Sequence, residues 1–331
     1  MKGPLPGGPQ SSDAIERGGP TVLWTRGPGC ASLAALLGGD RTQKADGDLR
    51  TACIRERADL LIARSFSSFD LIDVAVPHHF ELERVRSVVA TVAGGPHSSL
   101  AAAVAGYVAT SLGVPGRIVT ASPSPADDAK AETVLAGLRS SESTMSRDVV
   151  RAATAKAFVE DLPRGTLLIL GAPGGSWMQR QFFGPGRKLL YSASGGAVVV
   201  RSAPRRCFQA AGPVAPLGID MRVRDAEFML DGRHVMPVAE VGRLVGIVRA
   251  VALNGTADET TIGEVMEPPV FLHVEDFIED AAEMATFLDG GAVPVVDRDG
   301  VLFGELEMGP RTESTEGRAS PIRDVRWDSA Q

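Results

Sequence analysis

From Thr21 onward, short apolar runs alternate with small-residue turns, and the spacing of the apolar positions sets the expected elements. "TVLWTR" and "ADLLIARS" are brief and apolar throughout, as buried strands are, and "CASLAALLGG" between them reads as a helix closed by glycines. "FDLIDVAVPHHFELERV" is mixed and ends in a charged turn or short helix. From Ser87 the pattern sharpens. "SVVATVAGG" reads as a strand running into two glycines, "HSSLAAAVAGYVATSLG" as a helix ending at Gly113, and "GRIVTAS" as the next strand. "ADDAKAETVLAGL" and "RDVVRAATAKAFVEDL" carry the i, i+3, i+4 apolar spacing of amphipathic helices. "SSESTMS" between them is too polar for a buried strand, while "GTLLIL" and "GGAVVVRS" supply two more strands. Strands alternating with helices through short turns predict an α/β fold, a Rossmann-like parallel sheet covered on both faces.

A Pro- and Ala-rich stretch follows, and beyond it the chain repeats itself. "HVMPVAEVGRLVGIV", His234–Val248, aligns with "GAVPVVDRDGVLFGEL", Gly291–Leu306. Each copy has Pro-Val, a polar hairpin turn and a Gly-containing strand, preceded by a helix candidate, "DAEFMLDG" or "EDAAEMATFLDGG". The resulting division is a disordered lead over 1–20, a partial α/β half over 21–83, an α/β domain over 87–202, a linker over 203–213, an α+β repeat pair over 214–310 and a polar tail over 311–331.

Composition narrows the function. A hydrophobic fraction of 44% and a charged fraction of 23% are those of a soluble globular protein, and the length of 331 residues asks for more than one domain. The net charge of −7 argues against a general nucleic-acid binder or an anionic-membrane binder. Cys30, Cys53 and Cys207 have neither metal nor disulfide-framework spacing and read as reduced thiols. With no apolar signal core at the N-terminus and no run of membrane-spanning length, a cytoplasmic location is expected.

The candidate chemistry lies in the glycines. "LLILGAPGGSWMQRQFFGPGRKLL", Leu167 to Leu190, runs from a strand into a glycine loop and then a basic segment, the order a phosphate-binding turn needs. Arg187 and Lys188 stand just past the loop. Gly171, Gly174 and Gly184 match the G-x2-G-x9-G signature of universal stress proteins, which this region resembles. That resemblance implies ATP, ADP or AMP as ligand, with Gly94, Gly171, Gly174, Gly175, Gly184 and Gly186 as binding positions. Two positions depart from the family. Pro185 replaces a hydroxyl residue, and Ala93 stands where an Asp contacts adenine.

The repeat pair, about Val214 to Glu307, resembles tandem CBS domains, the Bateman module, whose clefts hold adenosyl ligands. The resemblance implies binding positions at Pro237, Pro294 and Arg249. In place of the family's Gly-Ile-Val-Thr-x-x-Asp ending, "GIVRAVA" puts Arg249 and Ala252, and "GELEMGP" puts Glu307 and Pro310, at the Thr and Asp positions. Arg249 can pair with a phosphate, whereas Glu307 would repel one. Both resemblances imply a homodimer.

Catalytic candidates fail on geometry. Adjacent His78 and His79 point to opposite faces of a strand, His97 opens a helix, and Ser98 and Ser99 sit at its cap. No metal ligand set and no nucleophile–base pair emerges. The expected function is therefore non-enzymatic regulation by a bound adenine nucleotide. The alternatives are an adaptor with decayed sites, acting through a protein partner, and a weak ATP-hydrolysing stress protein.

Overall fold

A computed structural model describes residues 20–66, 69–122, 124–138, 145–152, 154–172, 190, 192–230, 232–288 and 291–307. The lead up to residue 19 and the tail from 308 lie outside them. The described residues fall into two units, 20–204 and 205–307.

The first unit runs β1 (Val22–Trp24), α1 (Cys30–Gly38), β2 (Thr42–Lys44), α2 (Leu49–Arg55), β3 (Leu60–Ile62), β4 (Asp73–His78) and β5 (Ser87–Thr91). It continues through α3 (Pro96–Leu112), β6 (Gly116–Ser122), α4 (Asp128–Ala136), β7 (Ser146–Arg151), α5 (Ala155–Glu160), β8 (Thr166–Gly171) and β9 (Ala197–Arg201). All nine strands form one sheet in the order β2-β1-β3-β4-β9-β8-β5-β6-β7. Every neighbouring pair is parallel except β4 and β9, which run antiparallel about Val76 and Val199.

That seam divides the sheet into two parallel halves. On one side the order is third-second-first-fourth-fifth, the doubly wound Rossmann path. The other half follows the same path without the third strand, and each half places its last strand at the seam. The arrangement is the one two copies of a parallel sheet make across a two-fold axis, here within one chain. Residues 22–78 thus continue the sheet of the second half.

The central strands are apolar throughout because helices cover both faces. Leu60–Ile62 and Leu167–Ile169 are at most 1% exposed. In α3, the stretch Leu100–Ala105 is buried and mostly alanine, which lets the helix lie close on the sheet. Burying Leu100, Val104 and Val108 contributes roughly 1.5–3 kcal/mol each. The helix starts at Pro96, whose missing N–H costs nothing there, and stops at Gly113 with φ 62°.

One expectation is corrected. Residues 146–151 form an edge strand, β7, paired with β6, and not the start of a helix. Val149 and Val150 suit either period, and an edge strand keeps Arg117–Asp148 (3.1 Å) and Arg151–Asp128 (2.7 Å) at the surface. The helix begins only at Ala155, where Thr154 Oγ1 accepts the Ala157 N–H at 3.1 Å.

The second unit holds α6 (Cys207–Ala210), β10 (Leu217–Gly218), α7 (Val223–Leu230), β11 (Val235–Glu240), β12 (Arg243–Arg249) and α8 (Ala250–Leu253). Then come α9 (Ile262–Val265), β13 (Leu272–His273), α10 (Asp280–Phe287), β14 (Val293–Val296) and β15 (Leu302–Leu306). The strands make two matching three-stranded sheets, β10-β11-β12 and β13-β14-β15.

Hydrogen bonds between the repeats come in exchanged pairs. The Cys207 N–H donates to Asp276 O (2.9 Å), and its counterpart Ile262 to Met221 O (2.8 Å). Leu244 donates to Gly300 O (3.0 Å), and Leu302 to Gly242 O (2.8 Å). Each repeat also sends a segment across the other. Gly212 pairs with Glu305 of β15, and Glu267 pairs with Ile247 of β12. This crossing explains the glycine in each hairpin's second strand. A Cβ on Gly304 would collide with the Gly212 carbonyl, and one on Gly246 would lie 2.8 Å from the Glu267 carbonyl.

The crossing also overturns the linker expected over 203–213. Cys207, Phe208 and Ala211 are fully buried and Gly212 is part of the exchange, so the segment is the first element of the pair.

Candidate functional site

In an open parallel sheet, ligands bind outside the carboxyl ends of strands where the winding direction reverses. Here that point lies between β5 and β8, with β6 on the far side of β5. β5 leads into Ala93, whose N–H donates to the buried Ser98 Oγ at 2.9 Å, closing a turn. Gly94 (φ 90°) and Gly95 (φ 78°) follow in left-handed conformations, exposed, and Gly95 caps α3. The turn thus brings the positive end of a 17-residue helix to the crevice, where an anion is favoured.

Gly171 ends β8 beside this turn. A Cβ there would lie 3.0 Å from the backbone of His97, so close helix–strand packing accounts for this glycine. Gly94 and Gly171, both named from the sequence, thus stand at the carboxyl ends of the adjacent strands β5 and β8. Gly174, Gly175, Gly184 and Gly186, with Pro185, Arg187 and Lys188, lie outside the described residues.

His97 does not face solvent alone as a cap. Its Nδ1 accepts the Ser202 N–H at 3.1 Å, just past β9. His78 ends β4 and His79 turns with φ 48°. Among the described residues, no group of three or more His, Cys, Asp or Glu side chains is placed to hold a metal ion.

Sequence reasoning missed the counterpart of this turn in the first half. Gly27-Pro28-Gly29 follows β1, Gly29 has φ 72°, and it caps α1 as Gly95 caps α3. The readable signal was "TRGPGC" directly after an apolar strand.

A cavity of about 310 Å³ lies on the sheet face against α5, lined by Val89, Val119, Phe158 and Leu162 with Arg117 and Arg151. Both guanidinium groups are already paired. Arg151, then Ser122, hold the Asp128 carboxyl below the usual carboxylate range by hydrogen bonding.

In the repeat pair, Pro237 and Pro294 are buried in the central strands β11 and β14, opposite Ile247 and Glu305. Their place is structural packing at a central position of each hairpin. Arg249 ends β12, and its guanidinium is already engaged. Nε donates to Glu267 Oε2 at 3.0 Å, and an NH2 group to the Phe287 carbonyl at 2.7 Å. The corresponding end of β15 carries exposed Glu307. A second cross-repeat pair joins Arg233 to Glu305, whose side chain is 4% exposed.

No protein-family model and no curated protein matches the chain. Among solved structures, the cytosolic domain of the Mg2+ channel MgtE in complex with ATP is 22% identical over 31% of this chain, with a TM-score of 0.29. The chain spans 45% of the length of that structure. A CBS domain pair/ACT domain protein from Thermotoga maritima is 19% identical over 31% of this chain and 89% of its own, with a TM-score of 0.30. The CBS-pair protein CBSX2 from Arabidopsis thaliana is 25% identical over 31% and 89%, with a TM-score of 0.29.

Proposed function

We propose that this chain is a non-catalytic sensor that binds an adenine nucleotide at the β5–β8 crevice and signals by a change of conformation. The observation that carries the reading is the left-handed Gly94–Gly95 turn that opens α3 where the sheet reverses its winding. The Ser98 and Ser99 N–H groups donate to the Gly95 carbonyl and Pro96 has none, so a phosphate there is held by the Gly94–Gly95 backbone and the positive end of the helix. The resemblance to universal stress proteins supplies the adenine part of the reading. Isothermal titration with ATP, ADP and AMP tests it. Saturable binding that is weakened by Gly94→Val supports it, and heats no larger than dilution for all three reject it.

For the repeat pair a second reading is favoured, that of an adaptor surface. Arg249, the one cation the motif comparison offers to a phosphate in that cleft, is committed to Glu267 and to the Phe287 carbonyl. A phosphate entering there has to displace a carboxylate first.

A further inference from the structure

The exit of the α/β unit is fastened at successive residues. Arg201 donates to the Phe69 carbonyl and lies over the Phe66 ring at 5.5 Å. The next residue, Ser202, gives its N–H to His97 Nδ1 at 3.1 Å. The one after, Ala203, gives its N–H to the buried Asp73 carboxylate at 2.7 Å. Two residues later, at Arg205, the chain passes into the repeat pair, since the boundary between units falls after Pro204.

Of these fastenings, the one through His97 begins at the candidate ligand turn. His97 is the second residue of α3, directly after Gly95 and Pro96. Its backbone is pressed against Gly171 at the end of β8, on the other side of the crevice. A single residue therefore touches the turn, the facing strand and the exit strand. Because Nδ1 acts as an acceptor, the ring is held in one orientation, and a shift of the helix start moves the Ser202 amide with it.

We infer that His97 is a positioning residue that couples occupation of the Gly94–Gly95 turn to the segment leading into the repeat pair. The inference rests on the proposed reading that this turn takes a nucleotide. An anion drawn to the Gly94–Gly95 turn at the positive end of α3 repositions the first turn of the helix, and the imidazole carries that change to Ser202. The coupling works along the covalent chain and through one hydrogen bond, and no contact between the units is required.

The test uses the full chain with ATP as probe, reading binding by calorimetry and amide hydrogen exchange at Ser202 and Ala203. ATP should change exchange at Ser202 about tenfold, the ordinary size of a coupling between sites. His97→Ala should keep ATP binding and lose that response. His97→Asn, whose side-chain oxygen can replace Nδ1 as acceptor, should restore it, which a merely structural role would not produce. If ATP binds the native chain while Ser202 exchange stays unmoved, the coupling is wrong and the nucleotide reading stands. If none of ATP, ADP and AMP binds, both fall together.

Discussion

Arg249 and Glu267 meet across the two repeats at 3.0 Å, at the position where the resemblance to CBS domains implies a phosphate contact. The glutamate is 42% exposed, so solvent screens the pair. A double-mutant cycle on Arg249→Ala and Glu267→Ala should give a coupling of about 0.5–1 kcal/mol. Glu267→Gln alone should raise the affinity for inorganic pyrophosphate beside Arg249 by removing the negative charge of the carboxylate. An unchanged pyrophosphate titration would show that Arg249 does not take an anion even without the opposing charge of Glu267.

The chain crossing over Gly304 leaves no room for a side chain, because the Gly212 carbonyl occupies the place of a Cβ. Gly304→Ala should destabilise the protein by about 2–3 kcal/mol, measured by urea unfolding. Gly300→Ala, at φ 76° with open space around it, isolates backbone strain and should cost about 1 kcal/mol. Equal losses at both positions would argue against the crossing.

Val241 and Gly242 form the two-residue turn between β11 and β12, with φ values of 49° and 79°. Such a turn prefers Asn-Gly, and Val241 is a β-branched residue whose side chain is 99% exposed and packs on nothing. Val241→Asn should stabilise by roughly 0.5–1 kcal/mol, read as a higher unfolding midpoint.

Burial pushes the thiols of Cys53 and Cys207 up to about 12, and raises Cys30 as well. Unfolded thiols titrate near 8.5, so the folded state holds these protons more tightly. Their contribution is complete below about pH 8.5 and is lost as pH rises toward 12. Unfolding free energy should therefore fall between pH 8 and pH 10. At pH 8, a thiolate reagent should label the cysteines only in the presence of denaturant.

Much of this was legible locally. The strands "GTLLIL" and "GGAVVVRS", the helix from Pro96 and the two Pro-Val hairpins follow from apolar period and glycine placement. What was not legible depends on partners far away in the chain. Nothing in residues 73–78 announces that they pair antiparallel with 197–201. The role of His97 needs Ser202, and the buried place of 207–212 needs Glu305. β7 was ambiguous because Val149 and Val150, flanked by charges, satisfy a helix and an edge strand equally. The glycine turn after β1 escaped because its half of the sheet is contracted, and its likeness to the turn after β5, with a left-handed glycine capping the next helix, shows only in three dimensions.

The most direct test of the account is a thermal-unfolding comparison of the native chain and Gly94→Val, each with ATP, ADP, AMP and S-adenosylmethionine. Ligand at a hundredfold excess over its dissociation constant adds about 2.7 kcal/mol, a plain rise in the midpoint. The account predicts that an adenine nucleotide raises the midpoint of the native chain and does so far less for Gly94→Val, where the φ of 90° strains any side chain. An unmoved native midpoint with all four compounds would contradict it, as would an equal rise in both proteins.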